Sequence, residues 1–181
     1  MAIGSRLQKL LHDNEVSYQV LPHAEAMTAP EAAQAAHIPG RQLAKVVALH
    51  DSAGFRFLVV IPATEHVDLE RFSRITGGRT VSLVPEHELP ELFPDCELGA
   101  MPPFGHLYGI RTFLDGCLKG PFITFAGGNH RELVHMRLED LESLEHPYEL
   151  EQCVHGERPA HHPARRDTAA ASAARTTPAG R

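Results

Sequence analysis

Apolar residues along the chain switch between two spacings, and the switches mark out its elements. Ile3, Leu7, Leu10 and Leu11 recur at helical spacing, which predicts an amphipathic helix over 3–13. Val16, Tyr18 and Val20 then alternate, the period of a half-buried strand, until Pro22 stops it. Thr28-Ala29-Pro30-Glu31 has the form of a capping box, in which the Thr hydroxyl bonds the N3 amide and the Glu side chain reaches back. A helix is predicted from there to about His37, ended by Pro39-Gly40.

The most strand-like segments follow, LAKVVAL (43–49) and FRFLVVI (55–61), joined by the turn residues Asp51-Ser52-Ala53-Gly54. They predict an antiparallel hairpin. Asp68 caps a short helix through Arg74, Gly77-Gly78 breaks it, and Thr80 to Val84 returns to strand. Pro85 to Phe93 reads as another short helix. GAMPPFG (99–105) is a loop, followed by YGIRTFL, PFITFAGGNHRELVHM and a last helix over Leu138 to Leu144. Helices and strands interleave without the regular alternation of a doubly wound parallel sheet, so the expected fold class is α/β of an α+β-like kind with a mixed sheet.

Composition sets the scale. With 181 residues, 43% of them apolar, the chain can bury one sizeable core, and a single compact domain over residues 1–154 is expected. Residues 155–181 mix Ala, Pro, Arg and Thr without periodicity and read as a disordered tail. Five Arg in that tail oppose Glu157 and Asp167, so its balance of about +3 leaves the rest of the chain near -9 out of a total of -6. A broad nucleic-acid-binding face is excluded by that acidity, and any polyanion must be held by a local patch. No run of about 18 apolar residues occurs and the N-terminus turns polar early, so no membrane partner and a cytoplasmic location are expected. Cys96, Cys117 and Cys153 are far apart and odd in number, which fits reduced thiols.

Little side-chain chemistry stands out. His87-Glu88-Leu89-Pro90-Glu91 begins like a zincin motif but lacks the second His, and Pro90 would break the required helix. His130 and His135 are separated by an odd number and point to opposite faces of a strand, and His161-His162 lies in the tail. No metal site and no cofactor are expected. No G-x-S-x-G elbow is present, so an enzyme built on this chain works without a side-chain nucleophile.

Three features remain. Lys45 sits among apolar residues in LAKVVAL, where its ammonium either reaches solvent at a strand end or anchors a phosphate or carboxylate. GAMPPFG and Ala126-Gly127-Gly128-Asn129-His130 are either ordinary tight turns or stiff rims of a pocket whose backbone amides cradle negative oxygen.

As a set, LAKVV, GAMPPFG and FAGGNHRELVHM followed by LEDL, in this order, resemble the YbaK/prolyl-tRNA synthetase-associated editing domain family over about residues 3–148. The resemblance implies a mixed, mostly antiparallel sheet with surrounding helices. It also implies hydrolysis of the ester that joins a wrong amino acid to the 3'-terminal adenosine of tRNA. With no synthetase attached, the chain is expected to be a free-standing editor acting in trans, with aminoacyl-tRNA and a synthetase as partners.

Carried over by position, Lys45 matches the family's strand Lys, expected to engage the terminal adenosine or its phosphate and orient the ester. Gly99, Pro103, Phe104 and Gly105 match the loop whose amides face the substrate carbonyl. Gly128, Asn129 and His130 match the segment that closes the pocket, where His130 either orders the loop or touches the aminoacyl group. The catalytic set expected is Lys45, Gly105 and His130, and the substrate-binding set Thr28, Gly99, Pro103, Phe104, Gly128 and Asn129. The family often has a polar residue directly after the Lys, whereas this chain has Val46, so a side-chain contact from that position does not transfer. The expected substrates are tRNAs charged with Ala, Ser, Thr or Cys. The competing expectation is a non-catalytic module that keeps the pocket to sense a nucleotide or amino acid or to dock a synthetase.

Overall fold

The computed structural model describes residues 3–150, so the expected tail lies outside the described residues. The first helix, α1 (Ser5–Asp13), buries Leu7 and Leu11 and leaves its polar face to solvent. Strand β1 (Tyr18–Pro22) follows. Helix α2 (Ala29–Ala35) starts on the expected capping box, with Thr28 Oγ1 accepting from Glu31 N–H and Glu31 Oε2 accepting from Thr28 N–H. The hairpin is also as expected: β2 (Leu43–Asp51) pairs antiparallel with β3 (Arg56–Pro62). The Asp51 carboxylate accepts the amides of Ala53 and Phe55 to hold its turn.

Asp68 caps α3 (Leu69–Ile75) through the Arg71 N–H. Beyond β4 (Val81–Leu83), the predicted helix over 85–93 divides into a 3-10 turn at Glu86–Glu88 and the short α4 (Leu89–Leu92). The remaining elements are β5 (Arg111–Asp115), β6 (Phe122–Ala126), β7 (Glu132–Arg137), α5 (Leu138–Glu145) and β8 (Tyr148–Leu150). The pattern gave no signal for β8, which is only three residues long.

The sheet runs β1-β7-β6-β2-β3-β5-β8, with β4 added to β2. Pairs β1/β7, β6/β7, β2/β3 and β2/β4 are antiparallel, and β2/β6, β3/β5 and β5/β8 parallel, so the sheet is mixed and mostly antiparallel. Strand alternation sends Ala44, Val60, Leu114, Phe125 and Val134 to one face, where α1 and α5 cover them with Leu7, Leu11, Leu138 and Leu141. The opposite face carries two smaller clusters. One packs Leu43 and Leu133 under Ala32 and Ala33 of α2, and the other packs Val59, Ile61 and Phe113 around Phe72 of α3. Lys45 shares that face in the register between Leu43 and Val47, between the two clusters.

One feature departs from the reading of the thiols. Cys96 is a free thiol, but Cys117 is disulfide-bonded, which corrects the expectation of reduced thiols. No helix among the described residues is long and apolar enough to cross a membrane.

Candidate functional site

The sheet itself opens the site. Strands β2 and β6 pair only at Leu43 with Thr124 and Ala44 with Phe125, and beyond Ala126 the β6 chain turns away into Gly127-Gly128-Asn129-His130. Lys45 and Val46 stand at the split. A narrow cleft of about 420 Å³, counted to its open mouth, is lined there by Lys45 and Val46 from β2 and by Asn129 and His130 from the turn before β7. Thr28 and Ala32 of the α2 region form another wall, and Gly99, Ala100 and Met101 the rim. Five of the nine sequence-assigned positions, Thr28, Lys45, Gly99, Asn129 and His130, are thus brought to one place.

The other four positions, Pro103, Phe104, Gly105 and Gly128, are absent from the lining. Phe104 is fully buried, its ring 5.9 Å from that of Phe125 in the main core. Gly105 donates its N–H to Thr112 Oγ1 at 3.0 Å, and a Cβ there would stand 2.3 Å from Ile110 O. Its amide is therefore committed to the fold. Ala100 N–H is likewise committed, to Glu97 O, while Gly99 and Met101 on either side of it also line the cleft. The loop's second half is an anchor, reinforced where His106 pairs with the buried carboxylate of Glu145 on α5.

The other loop is held by main-chain bonds. Gly128 takes φ of +102°, a conformation that favours glycine, and a Cβ on it would come within 3.0 Å of Gly4 N. Its carbonyl accepts Glu97 N–H at 2.8 Å. Asn129 Nδ2 donates to Glu132 Oε2, while its Oδ1 accepts Arg131 N–H, so this side chain shapes the turn as well as lining the cleft. His130 gives its N–H to the Glu97 carboxylate and its carbonyl to Ala26 N–H, which fixes its backbone where the residue lines the cleft.

Several lining residues carried no readable signal. Ala26 lies just before the N-cap of α2 and Ala29 and Ala32 lie in its first turns, and all three line the cleft. His23 is held through Nδ1 to Ala24 O at 2.7 Å, which puts the proton of the neutral ring on Nδ1. Its Nε2 is buried without a partner among the described residues. Among the described residues no Asp, Glu, Ser or Cys lines the cleft, and Lys45 is the one permanent charge of that lining. Among the described residues no three His, Cys, Asp or Glu side chains gather as a metal-binding group.

Comparison with known proteins now decides the family, because the model of the aminoacyl-tRNA editing domain matches residues 23–144. The chain belongs to the aminoacyl-tRNA editing domain family. The matched editing-domain segment contains every residue that lines the cleft. Among solved structures, it is similar to a candidate trans-editing enzyme for prolyl-tRNA synthetase, with 26% identity and a TM-score of 0.70 over 83% of this chain and 96% of that one. A scaffold protein from a computational epitope-grafting study matches at 26% identity and TM-score 0.69, again over 83% and 96% of the two chains. A hypothetical protein at 20% identity and TM-score 0.72, over 80% and 97%, shares the fold. No curated protein matches this editing-domain chain.

Proposed function

We propose that this editing domain is a trans-acting deacylase, which hydrolyses the ester between a small amino acid (Ala, Ser, Thr or Cys) and the 3'-terminal adenosine of a mischarged tRNA. The observation that supports it is the convergence of Lys45, Thr28, Gly99, Asn129 and His130 on one cleft whose described residues include a cation and no carboxylate or Ser/Cys nucleophile. Coverage of 96% of a candidate trans-editing enzyme supports action in trans.

In this reading Lys45 holds a phosphate or oxygen of the terminal adenosine, and Thr28, Asn129 and His130 border the aminoacyl group. Water attacks the ester carbonyl with help from the neighbouring ribose hydroxyl, a new C–O bond forms, and the ribose oxygen leaves with a proton. The N–H groups of Gly99 and Met101 receive the developing oxyanion. Substrate, not side chain, assists the attack, in keeping with a lining without Ser or Cys. Partners are the acceptor end of tRNA and a synthetase that releases it, and the place of action is the cytoplasm.

The test is hydrolysis of tRNAs charged with Ala, Ser, Thr, Cys and Pro, with and without chelator. Chelator-resistant turnover of one or a few is the expected result. No turnover of any by folded protein would replace the deacylase with a binding module.

A further inference from the structure

One edge of β2 is shared by two strands that leave a gap between them. Strand β6 pairs with it at Leu43 and Ala44, and β4 only from Leu49 to Asp51. The opposite edge is paired with β3 without interruption from Ala44 to His50. Successive residues of a strand turn their N–H and C=O to opposite edges. Leu43 O accepts from Ala63 N–H and Asp51 N–H donates to Phe55 O, both on the β3 side, so the odd-numbered residues face β3. Ala48 O accepts from Val84 N–H on the other side, so the even-numbered residues face the gap. Val46 therefore turns its N–H and C=O into the gap, and Val46 lines the cleft.

We propose that this main-chain pair binds the aminoacyl group as a one-residue strand: the substrate's α-ammonium donates to Val46 O, and its ester carbonyl oxygen accepts from Val46 N–H. The inference rests on the deacylase reading and deepens it. An aminoacyl ester carries a nitrogen and a carbonyl on one α-carbon, the arrangement with which facing residues of an antiparallel pair exchange two hydrogen bonds. With no Asp or Glu among the described residues of the lining, a neutral acceptor receives the ammonium. A main-chain contact also needs no polar side chain at position 46. Val46 N–H then adds a donor on the oxygen that becomes the oxyanion.

Two arms test this. Val46→Pro deletes an N–H that has no partner in the β2/β3 ladder, so the variant is expected to melt cooperatively, whereas Val47→Pro deletes a ladder donor and is expected to unfold. Folded Val46→Pro should lose roughly 100-fold or more of deacylation. Retention of activity within about threefold would overturn the proposal. The second arm decides if Val46→Pro does not fold. Wild-type protein is given the best substrate of the charged-tRNA panel and its desamino counterpart, propionyl-tRNA where alanyl-tRNA is best, each rate divided by its uncatalysed rate. The desamino ester should fall by about tenfold or more, and equal normalised rates would overturn the proposal. Wild-type protein that hydrolyses no charged tRNA overturns the deacylase reading itself, and this inference with it.

Discussion

The Glu97 carboxylate accepts the main-chain N–H of His130 at 2.7 Å, while Glu97 N–H donates to Gly128 O at 2.8 Å. One exposed residue thereby ties the rim that carries Gly99 to the turn that carries His130. Glu97→Ala removes the carboxylate bond and leaves the main-chain one. Because the bond is solvent-exposed, its loss is expected to cost about 1 kcal/mol, toward the low end for bonds to charged groups. Deacylation should fall by about fivefold to tenfold with the melting temperature lowered by only about 2–4 °C, and Glu97→Gln, which keeps an acceptor, should recover most of both. Equal activity in all three proteins would show that the two loops hold their places without this bond.

Gly105 acts on stability. Its missing Cβ makes room for Ile110 O and Thr112 Oγ1, which an added Cβ would meet at 2.3 and 2.5 Å. Gly105→Ala must push the loop away from β5 and break the Gly105–Thr112 bond, at a cost of about 2–4 kcal/mol. Thr112→Val keeps the shape but strands a buried N–H, which costs about 1–3 kcal/mol. Urea denaturation of both variants should show the larger loss for Gly105→Ala. A Gly105→Ala protein of wild-type stability without deacylation would return this residue to the catalytic group.

What the sequence made legible was local. Both the Thr28/Glu31 capping box and the Asp68 cap involve residues three apart, and the β2/β3 hairpin is set by alternation plus a turn held by Asp51. The family resemblance singled out Lys45, Asn129 and His130, and all three line the cleft. Long-range pairing stayed hidden. Nothing near Pro102-Pro103-Phe104 announces that Phe125, 21 residues on, will bury that ring, so the sequence left both a tight turn and a pocket rim open for this loop. The cleft exists because β6 pairs with β2 at two positions and then leaves, and no local periodicity encodes where two distant strands part. Glu97 and Glu145 likewise act across long separations, where the fold brings His130 and His106 to them.

Cys96 offers a check on packing that is independent of function. Burial pushes its thiol from 9.0 up to about 11, against the partly opposing hydrogen bond with Tyr108. Two units mean about a hundredfold less thiolate at neutral pH, so alkylation of native Cys96 should be about 100-fold slower than in urea-unfolded protein. The sign for stability follows. The folded state prefers the neutral thiol, so this contribution is complete below pH 9 and lost as pH rises toward 11. Labelling of native Cys96 at the unfolded rate would mean that the contact of Tyr108 with Cys96 opens readily in solution.

Lys45 carries the strongest functional prediction. It is half-buried on β2, next to the gap in the sheet, and provides the one permanent charge among the described residues of the cleft. Small side chains are compatible with a strand, and Lys45 contributes no large apolar group to either cluster beside it, so Lys45→Ala should fold with a normal cooperative melt. Removing a cation that holds and orients the adenosine end should reduce kcat/KM by roughly 100-fold or more. Lys45→Met separates charge from bulk: it retains the length of the aliphatic stem, and an anchor that works by charge leaves it as inactive as Lys45→Ala. Salt gives a further readout. Wild-type KM should rise with ionic strength while that of Lys45→Met responds less, because the variant has lost a contact to an anionic group. Turnover by folded Lys45→Ala equal to that of the wild type would remove the anchor role and leave the main-chain groups of the cleft to orient the ester by themselves.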